Sequence, residues 1–128
     1  MKKILIAEDD TLLRTVLANQ FALSGFEVIT AQDGEEGVEK YFSEKPDAVV
    51  LDVMMPKKSG LEMMEEIRTM APLAATPFVV LSNSNELEHV ARAADSGVIA
   101  YLIKSDPQIT AVVNLIKEHL SKPKPADS

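Results

Sequence analysis

The chain has 128 residues, 46% hydrophobic and 26% charged, which suits one globular domain and leaves no room for two. It contains no Cys, which excludes disulfides, thiolate metal sites and Cys nucleophiles. The formal net charge of −7 argues against nucleic acid or an anionic membrane as a direct ligand.

The first apolar run, Ile4-Leu5-Ile6-Ala7, predicts a strand. Leu13, Val16, Leu17 and Phe21 follow at spacings of three and four, the stripe of an amphipathic helix. Asp10 fits as its N-cap rather than as a metal ligand, and Gly25 sits where it should end. Phe26-Glu27-Val28-Ile29 reads as a second strand, placed at an edge by Glu27. Asp33 with Glu36 fits a capping box for the next helix. Ala48-Val49-Val50-Leu51 is a third strand. Ser59 with Glu62 fits another capping box, opening a helix with the stripe Leu61-Met64-Ile67. Phe78-Val79-Val80-Leu81 is a fourth strand. Asn85 with Glu88 fits a third box, before a weak Ala-rich stripe of Leu87, Val90, Ala91 and Ala94. Gly97 ends that helix, and Ile99-Ala100-Tyr101-Leu102-Ile103 forms a fifth strand. Asp106-Pro107 fits an N-cap and first helical position, and Ile109, Val112, Val113, Ile116 and Leu120 make the last stripe. Residues 1–120 are expected to form the domain, with 121–128 a polar, Pro-containing tail or linker stub.

Four of the five strand runs are nearly continuous, as expected of strands buried on both faces of a parallel sheet. Strands alternating with helices call for parallel pairing with helices on both faces. In such sheets sites form beyond the carboxyl ends of the strands. Those ends carry Glu8, Asp9 and Asp10, then Asp52, then Ser82 and Asn83, then Lys104. Glu8, Asp9 and Asp52 would repel one another at close range. A hard divalent cation removes that conflict, and carboxylate oxygens are the ligands Mg²⁺ prefers. One carboxylate could then attack phosphorus, while a cation, a Lys and a hydroxyl stabilise the transferring group.

The chain resembles the receiver domain of two-component response regulators, including chemotaxis-type regulators, over essentially residues 1–120. The matching stretches are Ile4 through Asp10, Pro46 through Pro56, Ser59-Gly60, Pro77 through Ser82, and Gly97 through Lys104. The resemblance implies a flavodoxin-like, doubly wound α/β fold, with five parallel strands in the order 2-1-3-4-5 and five helices. It makes Asp52 the phosphoacceptor. Glu8, Asp9 and Asp52 would hold Mg²⁺, or Mn²⁺, with the backbone carbonyl of Met54. Lys104 and Ser82 would bind the phosphoryl group, Ser82 and Tyr101 would act as the switch, and Asn83, Met54 and Ser84 would modulate rates. The implied donor is a sensor histidine kinase or histidine phosphotransfer protein. It docks against the first helix, Asp10 to Gln20, and the loop after the fifth strand. The implied output is a changed surface of helix 4, strand 5 and helix 5, read by a downstream protein or an effector domain. No nucleic acid or membrane is an implied partner, and the compartment expected is the cytoplasm. Met1-Lys2-Lys3 followed by four apolar residues does not read as a secretory leader.

Two positions depart from the family. Asn83 stands where Ala or Gly is usual and bears on rates. Ser105 stands where Pro, commonly with a cis bond, is usual; the Lys104–Ser105 bond is either cis because the site demands it, the reading slightly favoured despite the ~2.5–4 kcal/mol cost before a non-Pro residue, or trans with a rearranged loop. Other chemistry-bearing residues have plainer readings. Met54, Met55, Met63 and Met64 read as gap-filling core and loop residues. His89 and His119 have no neighbour at ligand spacing.

Two other functions compete. A degenerate receiver would bind partners without phosphorylation, but the set Glu8, Asp9, Asp52, Ser82 and Lys104 is intact. A Mg²⁺-dependent aspartyl phosphohydrolase of the haloacid-dehalogenase type would carry its nucleophile after the first strand, where this chain has Glu8. The domain is therefore expected to be no enzyme beyond assisting its own phosphorylation and dephosphorylation.

Overall fold

The computed structural model describes residues 1–83, 86–104 and 106–121. The elements alternate: β1 (Lys3–Ala7), α1 (Thr11–Leu23), β2 (Glu27–Ala31), α2 (Gly34–Glu44), β3 (Ala48–Leu51), α3 (Gly60–Met70), β4 (Phe78–Ser82), α4 (Leu87–Asp95), β5 (Ala100–Ile103) and α5 (Asp106–Ser121). All strand pairings are parallel, in the order β2-β1-β3-β4-β5.

The continuous apolar runs are explained by two cores. Alternate residues of a strand face opposite sides of the sheet. Leu5, Ala7, Val49, Leu51, Phe78 and Val80 face a core completed by α2, α3 and Ala93 of α4. Ile4, Ile6, Ala48, Val50, Val79 and Leu81 face the other, completed by Leu17 and Phe21 of α1 and by Val112, Val113 and Ile116 of α5. Each fully buried large aliphatic side chain contributes ~1.5–3 kcal/mol of transfer free energy. Met63 and Met64 are fully buried core residues.

Local signals held at several helix ends. Asp10 Oδ1 accepts from the backbone N–H of Leu12 and Leu13. Ser59 and Glu62 form the reciprocal capping box. Gly25 and Gly97 follow α1 and α4 at φ of 93° and 79°, where a side chain would be strained. Asp33 caps α2, but Glu36 reaches back to the N–H of Gln32 rather than Asp33, so that box is not reciprocal.

Two expectations are corrected. β5 is not buried on both faces: it is the second edge of the sheet, half-buried through Leu102, with Ile103 exposed. The stripe read on α4 is not its buried face, since Leu87, Ala91 and Ala94 are exposed and Ala93 is the residue buried. Alanines carry too little apolar area to set a helix's rotation. Polar contacts at its far end act instead. Arg92 donates to both Glu65 carboxylate oxygens on α3, at 2.7 and 3.2 Å. Arg68 of α3 lies 4.5 Å over the Phe78 ring and donates to the carbonyls of Ser96 at 3.0 Å and Gly97 at 3.5 Å. The first turn of α4 has Glu86 at its cap position and no side-chain cap hydrogen bond. Asn85, read as that cap, lies outside the described residues, as do Ser84, Ser105 with the bond before it, and the 122–128 part of the tail.

Candidate functional site

Because every strand runs the same way, the residues after β1, β3, β4 and β5 emerge at one edge. The ladder continues one residue past β1 and β3. Glu8 N–H donates to the Ala31 carbonyl at 3.0 Å, and Asp52 N–H to the Ala7 carbonyl at 3.1 Å. Neighbouring strands therefore fix the backbones from which both carboxylates project. Lys104 is fixed similarly, its N–H on the Ser82 carbonyl at 2.9 Å.

From these anchors the side chains converge. Glu8, Asp9 and Asp52 each offer an oxygen, all within 4.8 Å of one another. Lys104 Nζ donates to Asp52 Oδ2 at 2.8 Å and lies 3.1 Å from both Glu8 carboxylate oxygens. Glu8 and Asp52 are buried, while Asp9 is exposed and closes the cluster from outside. Arg14 of α1 donates to the Glu8 carbonyl at 2.8 Å.

The charge balance explains the titration. Burial, and then the Asp52 charge, push the Glu8 carboxyl up to about 7 against the partial relief of the Asp10 N–H and Lys104. Burial also works against the Lys104 ammonium, but Asp52 and Glu8 outweigh it and hold its pKa above the ordinary value. Three carboxylates share one ammonium, and a proton on Glu8 covers part of the deficit. A hard divalent cation would cover it better, so the donor set fits Mg²⁺.

The segment after Asp52 folds back over it. Met54 N–H approaches Asp52 Oδ1 at 3.4 Å, and Gly60 N–H donates to the Val53 carbonyl at 2.9 Å. A Cβ on Gly60 would lie 1.8 Å from the Asp52 carbonyl oxygen, so only glycine fits.

The other sequence-derived residues fall around this core. Ser82 is buried at the end of β4, paired in register with Ile103. Tyr101 is half-buried on β5 and packs against the core on the α2–α3 face. Asn83 is exposed, as is the Met54 side chain at 63%. Ser84 is outside the described residues. Asp10 turns to its helix and away from the cluster. Sequence reasoning missed Arg14, whose link to Glu8 spans a helix start and carries no motif. It also gave no role to Gly34 or Gly60, whose neighbours are distant in the chain or visible only in three dimensions.

The family model for the response regulator receiver domain matches residues 4–115. A transcriptional regulatory protein, PdtaR of Mycobacterium tuberculosis, is 40% identical over 104 residues, covering 80% of this chain and 49% of that one. The chain spans about half the length of the curated relatives it matches. Among solved structures, a CheY-like receiver domain protein from Methanospirillum hungatei superposes with a TM-score of 0.85 at 26% identity, covering 94% of each chain. Response regulator TrrA from Thermotoga maritima, solved in complex with Mg²⁺-BeF, gives 0.81 at 30% identity, covering 92% of this chain and 98% of that one. With the strand order and the acidic edge already in place, these likenesses settle the family: the chain belongs to the receiver domains of two-component response regulators.

Proposed function

We propose that this domain is a phosphorylation-dependent signalling switch that accepts a phosphoryl group on Asp52. The observation that carries the reading is the convergence of Glu8, Asp9 and Asp52 within 4.8 Å, beside the Lys104 ammonium 2.8 Å from Asp52.

Glu8, Asp9, Asp52 and the backbone carbonyl of Met54 would hold Mg²⁺, with Mn²⁺ the nearest alternative on the same oxygen ligands. The cation supplies neutralisation of charge on the phosphoryl oxygens. An Asp52 oxygen attacks phosphorus in line, the N–P bond of a phosphohistidine breaks, and the imidazole leaves with its electron pair and takes up a proton. Lys104, already on Asp52, passes to a phosphoryl oxygen. Ser82 donates its hydroxyl to another, and Tyr101 changes rotamer with it. The new group differs from the bare carboxylate in charge and acceptor oxygens, so it favours the state in which Ser82 and Lys104 lie inward. The surface of α4, β5 and α5 then presents a different face to a downstream protein or effector domain. Asn83, Met54 and Ser84 modulate the rates of phosphorylation and dephosphorylation. The donor is a sensor histidine kinase or phosphotransfer protein, which places the domain in the cytoplasm. Among the described residues no helix is long and apolar enough to cross a membrane.

Incubation with acetyl phosphate, with and without Mg²⁺, tests this by intact mass. Wild type should gain one phosphoryl group only with Mg²⁺, and Asp52→Asn should gain none. An adduct retained in Asp52→Asn would refute the assignment.

A further inference from the structure

The segment from Asp52 to Ser59 carries the acceptor and the Met54 carbonyl, and both its ends are pinned. Asp52 N–H holds the start to β1, and the Ser59 capping box holds the end to α3. Between them Lys57 sits in the left-handed region at φ 67°, which is uncommon for a residue other than glycine. Lys58 is tied by its ammonium to Glu66 of α3.

The middle of the segment rests on α2. Gly34, the first residue of that helix, is buried, and a Cβ there would lie 2.1 Å from the Lys58 carbonyl oxygen and 2.7 Å from its carbon. These are backbone atoms, which cannot rotate aside. Asp33 Oδ2 adds a long ion pair to Lys57 at 3.9 Å. One turn on, a Cβ on Gly37 would lie 2.5 Å from the sulfur of the buried Met63 of α3, so α2 is closely packed at both glycines. An added methyl at residue 34 would therefore displace Lys58, by roughly 1 Å to reach van der Waals distance. Pinned at both ends, the segment can absorb that only by moving the residues between, Met54 among them.

We propose that Gly34 is a positioning residue for the cation site: the close approach of its backbone to Lys58 sets where the Asp52–Ser59 segment holds the Met54 carbonyl. This rests on reading Glu8, Asp9, Asp52 and the Met54 carbonyl as cation ligands. Gly34 touches neither cation nor phosphoryl group. Without the close approach, Ala at this first helical position would cost α2 nothing, since Gly is not the better helix former.

The test compares the full chain with Gly34→Ala and Gly25→Ala. Gly25 has a positive φ, and a Cβ added there would meet nothing within 4 Å, so alanine costs stability far from the site. Mg²⁺ affinity is read by titration calorimetry and stability by thermal melting. Gly34→Ala should raise the Mg²⁺ dissociation constant about ten-fold, the scale on which supporting residues act on metal sites. Its phosphorylation by acetyl phosphate should recover at high Mg²⁺. Gly25→Ala should melt lower with Mg²⁺ affinity unchanged. An unchanged Mg²⁺ dissociation constant in Gly34→Ala, or an equal loss in both variants, overturns the proposal. A wild type that binds no Mg²⁺ overturns the cation reading itself, a result visible before any variant is made. Should Gly34→Ala not fold, Mg²⁺ titration of the ¹⁵N-labelled wild type decides. The Gly34 and Lys58 amide signals should move with the midpoint of Met54, and silence at both overturns the proposal.

Discussion

Lys104 Nζ reaches from the end of β5, past β4, to within 2.8 Å of Asp52 Oδ2 at the end of β3. It is the one ammonium in the acidic cluster among the described residues, and it competes with any cation for the same oxygens.

Lys104→Met should therefore act in opposite directions on two measurements. Cation-free stability should fall by about 2 kcal/mol, because two buried carboxylates lose their partner. Mg²⁺ should bind more tightly, because the competing charge is gone. Phosphorylation by acetyl phosphate should slow despite the tighter cation. Denaturant melts, calorimetry and phosphorylation rates check the three.

Removing a carboxylate should do the reverse. Asp52→Asn takes away the charge that, after burial, most raises Glu8. Without Mg²⁺ the variant should be more stable than wild type by about 1 kcal/mol, as Glu8 and Lys104 become a simple pair. Urea melts in chelator check this.

The Glu8 carboxyl sets a pH dependence whose sign is fixed. Its pKa in the folded protein is about 7 against an ordinary value of 4.5. Between those values the folded protein keeps a proton that the unfolded chain releases. Cation-free stability should therefore decline as pH rises through this window and level off above it. Saturating Mg²⁺ displaces the proton and should flatten the decline, as should Glu8→Gln. Melting midpoints across pH 4.5–7, with Mg²⁺ and with chelator, give the comparison.

Gly60→Ala drives a Cβ against the Asp52 carbonyl and should cost about 3 kcal/mol, the upper part of the range for overpacking a rigid site. Circular dichroism melts measure it. A near-neutral result would mean that the segment after Asp52 slides freely.

Arg68→Ala removes the Phe78 face contact and the carbonyl bonds to Ser96 and Gly97, and should cost about 1–2 kcal/mol. Amide exchange should quicken at Ser96 to Val98 before it does in α3.

The sheet and the acidic edge were legible because each rests on short-range chemistry. Ile4–Ala7 and Ala48–Leu51 must be buried on both faces, so they must be parallel and adjacent to helices, and Glu8 and Asp52 must then emerge together. Asp10 was legible as a cap because its partners are two and three residues away. The rotation of α4 was not, because Ala91 and Ala94 say little about facing and its restraint comes from Glu65 and Arg68 on another helix. The exposure of β5 was hidden in its composition: Tyr101, Leu102 and Ile103 are as apolar as a central strand, and only its place in the strand order makes it an edge. The role of Gly34 is not legible in the sequence, since Lys58 is not near it in the chain.

The tethering of α4 to α3 has a mechanical consequence. Arg92 joins the last turn of α4 to Glu65, and Arg68 joins the residues just after it, Ser96 and Gly97, to α3. Two planar guanidinium groups thus act as struts between neighbouring helices, one anchored on each. A rotation of either helix must carry the other with it or break those bonds, and the strain reaches the chain a few residues before β5 begins.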